Sequence, residues 1–342
     1  MKTLKKVIKK IFKIILPRKL INTLKNVRTD VIDVLFVGGF RKNLLKLQQI
    51  KKMNAYLVHR EKGMNYAKNY LLGLNRNEQD IETLKIIEFL EKSNPFLMYA
   101  YDFIKEYNPL CVNVLRDETC DMNYVLHDNK RMYFPQTFDT ERCRGYYNTL
   151  CIEQDIRSPH RYDTPEFTVK NGDVIADVGA AEGIWALTHI ESAERIYLFE
   201  CNPEWIAALQ KTFETRKDKV VIVNKYLSNI SNNKEYITFD DFINGGKINV
   251  IKADIEGAEL NFLAGSEKTL ASAVDLKLLL CTYHRNDDAE NIKLVLENHG
   301  FDTEFSNGYM FSPNWSMGGG TSMLVKGVIR AKKNSNERMV IK

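Results

Sequence analysis

Three acidic segments of this sequence are placed to do chemistry. In DVIADVGAAEGIWALTHIESAERIYLFECN (173–202), Asp177 precedes a turn containing Gly179 and Gly183, and Glu200 ends the next apolar run. INVIKAD (248–254) stops at Asp254 and passes at once into IEGAELNFLAG, which carries Glu256 and Glu259. His284 follows a further apolar run, Leu276 to Tyr283. A carboxylate at the carboxyl end of a strand binds ribose hydroxyls, and carboxylate and imidazole groups take up protons during catalysis. Asp254, Glu256 and His284 are the candidate bases.

These positions need a frame. Val174, Ile175, Ala176 and Val178 form a short buried run, the glycines permit a tight turn, and Ile184 to His189 restart with helical character. Ile196 to Phe199, Val220 to Val223, Ile248 to Asp254 and Leu276 to Tyr283 read as further strands, and Ala289 to Asn298 as a helix. Phe301 to Phe305 with Thr321 to Val328 reads as a closing antiparallel pair, entered through a turn at Gly318, Gly319 and Gly320. This alternation from about 165 to 328 predicts a mostly parallel α/β sheet. Its ligand crevice lies where strand order reverses, expected here between the first and fourth strands, so Asp254 faces the glycine loop.

Charge bears on the ligand. A dinucleotide site wants a further glycine so that backbone N–H groups approach a pyrophosphate, and that signature is incomplete. Asp177 and Glu182 would repel a pyrophosphate and favour a cation. S-adenosylmethionine, with a sulfonium, an ammonium and a ribose diol but no phosphate, fits. The glycines alone are also compatible with an ordinary strand-to-helix turn. Glu256 and Glu259 would both favour a helix N-terminus; we assign Glu259 to that role and Asp254 and Glu256 to chemistry. His284 is either a base that titrates near neutral pH or a structural histidine. Asp240 and Asp241 are assigned to capping a short helix.

The segments ADVGAAEG, YLFECNPE and IKADIEGAELNFLAG resemble, in order and spacing, the FkbM-type methyltransferases, a branch of the class I S-adenosylmethionine-dependent enzymes. The resemblance covers the last half of the chain, and EQDIRSPHRY (153–162) and CTYHRNDD (281–288) resemble one bacterial branch of that family. It implies a Rossmann-like sheet, S-adenosylmethionine as cofactor, and cofactor positions at Asp177, Gly179, Gly183 and Glu200. Ala180, Glu182, Asn202 and Asp254 complete the expected cofactor set, and Asp254 and Glu256 fall on the family's acidic fourth-strand motif. Ala181, Glu182 and Cys201 depart from the common family pattern. His160, Arg161 and Tyr162 either grip substrate from the preceding loop or form a packing turn around Pro159. The implied reaction is O-methylation of a carbohydrate, glycolipid or related small-molecule hydroxyl. An NAD-dependent oxidoreductase and a non-catalytic membrane-surface scaffold are the rival readings.

The 342 residues are 44% hydrophobic, enough for a large domain plus an accessory region. Six cysteines without a C-x-x-C pair, and no secretory leader, point to a reduced cytoplasmic setting, and metal-site spacing is absent. Residues 1–28 hold ten Lys or Arg and no acid, leaving 39 basic against 44 acidic residues elsewhere, a net −5. In that segment Leu4, Val7, Ile8, Ile11, Phe12 and Ile15 oppose Lys2, Lys6, Lys9, Lys10 and Lys13, as in a basic amphipathic helix ended by Pro17. Such a helix (2–16) lies on an anionic membrane face or docks on protein, and it is too interrupted by charge to span a bilayer. Nucleic acid is not expected, because no basic stripe is interleaved with aromatics.

The expected organisation is a basic helix at 1–28, a helical accessory region with a β-hairpin at 29–150, the methyltransferase domain at 151–330 and a polar tail at 331–342. Within the accessory region, Asn77 to Ser93 predicts a helix with Ile81, Leu84, Ile87 and Leu90 on one face. YVLHDNKRMYF predicts a hairpin turning at Asp128 to Lys130.

Overall fold

The computed structural model describes residues 65–94, 98–232, 234–312 and 323–333. The expected basic helix, the Gly318–Gly320 turn and most of the polar tail lie outside them. Among the described residues no helix is long and apolar enough to cross a membrane.

Helix α1 (Ile81–Lys92) begins where the Asp80 side chain accepts from the backbone N–H groups of Glu82 and Thr83. That cap excludes residues 77–80 from the helix, and Arg76–Glu78 form a separate 3₁₀ turn. The buried face is Thr83, Ile86, Ile87, Phe89 and Leu90, while Ile81 is 66% exposed, so the apolar stripe is rotated from the predicted one.

Strands β1 (Leu115–Asp117), β2 (Met122–His127) and β3 (Lys130–Tyr133) form an antiparallel sheet. Asp128 and Asn129 turn the hairpin, both with positive φ, as a two-residue type I′ turn requires. Met122, Tyr124 and Tyr133 pack on Ala208, and the Tyr133 N–H donates to Thr212 Oγ1. Helix α2 (Thr140–Glu153), capped by Asp139, is continuous across position 150, the expected boundary.

The large sheet holds β4 (Val174–Val178), β5 (Arg195–Phe199), β6 (Val220–Val223), β9 (Val250–Ala253), β10 (Lys277–Cys281), β11 (Asp302–Phe305) and β14 (Val328–Lys332). Their order is β11-β14-β10-β9-β4-β5-β6. β4 lies between β5 and β9, parallel to both, so strand order reverses at β4. β14 runs antiparallel to β10 and β11. This is the Rossmann-like arrangement that the resemblance implied. β4 and β9 are buried along their whole length, as strands covered on both faces must be.

The closing pair differs from expectation. β11 pairs with Val328–Lys332, not with 321–328; Leu324–Val325 (β13) pairs instead with Met310–Phe311 (β12). A further short pair joins β7 (Tyr226–Leu227) and β8 (Tyr236–Ile237). The covering helices are α3 (Ile184–Thr188), α4 (Pro203–Thr212), α5 (Phe239–Ile243), α6 (Glu259–Ala264), α7 (Glu267–Ser272) and α8 (Asp288–Asn298). Thr238, not an aspartate, caps α5, accepting from Asp241 N–H. The Asp240 carboxylate accepts from Lys268 and Thr269 N–H groups and so serves α7.

Candidate active site

The crevice is built on one close backbone approach. Gly179 has φ +74°, and a Cβ there would sit 2.0 Å from the Asp254 carbonyl oxygen. Glycine is therefore required where the loop after β4 meets the end of β9. Gly179 and Ala180 N–H both donate to the Phe199 carbonyl at 3.0 Å, tying the loop to β5. Gly183, also at positive φ, precedes α3, and a Cβ there would meet Leu209 Cδ2 at 2.7 Å.

Glu200 stands at the end of β5, partly exposed. One carboxylate oxygen accepts from Ala181 N–H at 2.9 Å, and the other accepts from Cys201 and Asn202 N–H at 2.7 Å. The oxygen that takes Ala181 N–H alone keeps acceptor capacity for a ribose hydroxyl. The Asn202 side chain caps α4 by accepting from Glu204 N–H. Its Oδ1 serves the helix.

Asp177 is placed differently from expectation. It is 1% exposed, and its carboxylate lies 2.9 Å from the Lys252 ammonium, which in turn donates to the Gly179 carbonyl. Burial opposes the Lys252 charge, but Asp177 and Asp254 outweigh it and keep the amine protonated. The acidic ring expected around the crevice is thus interrupted by a buried cation. The signal was a lysine inside the apolar run INVIKAD.

Glu182 is buried and accepts from the Tyr146 hydroxyl at 3.0 Å, and burial pushes its carboxyl up to about 7. Glu153, at the end of α2, is pushed up to about 8 by burial and then by Asp254 and Glu182. Neither Glu153, Tyr146 nor Lys252 stood out from sequence, because their partners come from distant elements.

Asp254 is the hub. Tyr162 donates to one oxygen at 3.0 Å, and the other lies 3.3 Å from His284 Nε2. Burial would raise its carboxyl, but Lys252, His160, His284 and the Tyr162 hydroxyl outweigh that and hold it below the usual range. His160, 2% exposed, sits beneath, with Nε2 3.2 Å from the Tyr283 hydroxyl and 3.8 Å from Asp254. His160 and Tyr162 thus act through Asp254. Arg161 does not join them: its guanidinium donates to the Asp163 and Gln154 carbonyls, which makes it a clamp on its own loop.

His284 Nδ1 lies 3.0 Å from a Glu259 oxygen, and Nε2 lies 3.7 Å from Glu256. Glu259 is fully buried and also accepts from Ile255 N–H, so it does more than bias a helix terminus. Burial disfavours the imidazolium, yet Glu259, Asp254 and Glu256 prevail and the His284 pKa is raised. Glu256, at φ +55°, keeps a 93% exposed side chain at the rim.

Residues 213–303 match the model described as the Methyltransferase FkbM domain. That span holds Asp254, Glu256, Glu259 and His284 and begins after the glycine loop. Among solved structures, the methyltransferase FkbM from Methylobacillus flagellatus KT is 16% identical with a TM-score of 0.39, covering 56% of this chain and 53% of its own. The alignment thus spans about half the length of that protein. A precorrin-6y C5,15-methyltransferase from Geobacter metallireducens GS-15 is 14% identical, with a TM-score of 0.35 over 48% of this chain and 82% of its own. A putative RNA methyltransferase from Pyrococcus horikoshii is 16% identical, with a TM-score of 0.31 over 49% and 76%. No curated protein matches the chain. The family match covers the Asp254–His284 hub, and residues 213–303 are similar to the FkbM methyltransferase domain.

Proposed function

We propose that the chain is an S-adenosylmethionine-dependent O-methyltransferase acting on a hydroxyl of a carbohydrate, glycolipid or related small molecule. The observation that carries this reading is the contact at Gly179, which brings the glycine loop tied to Glu200 against the Asp254–His284 hub. The donor set suits the cofactor. Glu200 offers an acceptor to a ribose hydroxyl, Asp254 is held anionic beside the loop, and the buried Lys252 ammonium is already paired with Asp177. When bound, the sulfonium supplies an electrophilic methyl group to an oxygen aligned with its carbon–sulfur bond.

The protein's share is positioning and proton removal. Holding two reactants in line is worth about 7–11 kcal/mol, and a base contributes roughly 10²- to 10⁴-fold. Neutral His284 accepts the hydroxyl proton at Nε2, and Asp254 stabilises the resulting imidazolium. Glu256, exposed at the rim, is placed to meet acceptor hydroxyls. The carbohydrate assignment draws on the family resemblance, and the basic segment 2–16 supports an acceptor at the inner membrane face of the cytoplasm.

Purified protein incubated with labelled S-adenosylmethionine and fractionated glycans, lipids and small molecules should yield a labelled product. An NAD-dependent oxidoreductase would instead be stabilised in thermal shift by the dinucleotide and not by S-adenosylmethionine. Cofactor binding without turnover on any fraction would favour a scaffold.

A further inference from the structure

The mechanism above leaves Glu259 without a role, although it is fully buried on the first turn of α6. A buried carboxylate needs compensation, and here one oxygen receives Ile255 N–H at 3.0 Å and stands 3.0 Å from His284 Nδ1. The other edge of the same ring faces Asp254 at 3.3 Å and the exposed Glu256 carboxylate at 3.7 Å. His284 therefore meets a buried carboxylate at Nδ1 and the crevice carboxylates at Nε2, with its side chain 7% exposed. The Tyr283 ring lies against it, with centroids 4.2 Å apart, and limits its rotation.

We infer that Glu259 is the positioning residue of the reaction: it accepts the Nδ1–H of His284, fixing the tautomer and ring orientation that present Nε2 to the acceptor hydroxyl. The inference rests on His284 being the base. Without Glu259 the ring could place its proton on Nε2, which would then have no lone pair for the substrate. The imidazolium formed when the acceptor proton arrives is stabilised from both edges, by Glu259 through Nδ1 and by Asp254 through Nε2. Every charged group that faces the ring bears on its titration: Asp254 from β9, Glu256 from the loop, Glu259 from α6, and Asp288 at the start of α8. His160 faces the opposite oxygen of Asp254. Asp288 is likewise buried and accepts from Arg285 N–H, but Glu259 joins a backbone anchor at Ile255 to a 3.0 Å approach to Nδ1, which suits it to hold a direction as well as a charge.

The test is histidine nitrogen NMR on the full chain, with His284 assigned by loss of its signals in His284→Asn. Above its titration, wild-type His284 should carry its proton on Nδ1. In Glu259→Gln the titration should move to lower pH and the Nε2–H tautomer should grow. The acidic limb of the methyl-transfer pH profile should move the same way, with the plateau rate falling by up to about 10²-fold. Glu259→Asp, which keeps the charge, should restore the titration in part. A proton on Nε2 in the wild type, or an unchanged titration in Glu259→Gln, would overturn the inference, and the wild-type spectrum decides even if the variants fold poorly. If the NMR result holds while the methyl-transfer profile ignores His284, the positioning stands and the assignment of the base fails.

Discussion

At the scale of single residues, burial changes what each acid does. Asp177 reads from sequence as a cofactor ligand, yet it is the counter-charge of Lys252. Asp177→Ala would leave that buried ammonium with only the Gly179 carbonyl and the charge of Asp254, so denaturant unfolding should reveal a loss of up to about 3–5 kcal/mol. Any loss of cofactor affinity in this variant would follow from the damaged fold. Asp254→Asn differs, because it keeps a partner for the Tyr162 hydroxyl while removing the charge beside His284. Turnover should fall roughly 10²- to 10⁴-fold at saturating cofactor. Glu182 has the opposite linkage from an ordinary ion-paired acid. Its carboxyl is raised from 4.5 to about 7, so its contribution to stability is complete below pH 4.5 and is lost as pH rises through about 7. Glu182→Gln should flatten that part of the pH–stability curve, measured by thermal unfolding; an unchanged slope between those values would refute the assignment.

At the scale of elements, the site depends on loops held from several strands. Gly179→Ala would force an L-residue into left-handed backbone, about 1–2 kcal/mol, and drive its Cβ into the Asp254 carbonyl. Cofactor affinity and melting temperature should both fall. The loop carrying His160 and Tyr162 is pinned by Arg330 on β14, whose guanidinium donates to the Tyr162 and Arg161 carbonyls. Arg330→Ala should destabilise by roughly 1–3 kcal/mol for each buried carbonyl left unpaired. Its larger signature would be reduced turnover, since Tyr162 would no longer be held against Asp254. The element boundaries that sequence placed wrongly share one cause, competition between local signals and partners elsewhere. Asp80 caps α1 and delays its start, while β14 takes the register set by β10, which moves the closing strand to Val328–Lys332.

At the scale of the whole molecule, charge is divided between the ends of the sequence, with a basic first 28 residues and a net −5 elsewhere. If the first segment binds anionic surfaces, changing Lys2, Lys6, Lys9, Lys10 and Lys13 to Gln should cut co-sedimentation with anionic vesicles more than tenfold, at about 1 kcal/mol per residue. Methyl transfer to a soluble acceptor should be unaffected. What the sequence by itself determined was the sheet and its crevice, because buried parallel strands are short apolar runs and a strand end can be read from the residue that stops it. Glu200, Asp254 and the glycine turn were legible for that reason. Only the tertiary structure decided which acids stay charged and what they face. Lys252 neutralises Asp177, Glu259 engages His284, and Tyr162 reaches Asp254 across 92 positions of chain, because these pairings arise from strand order and burial, neither of which any local pattern records.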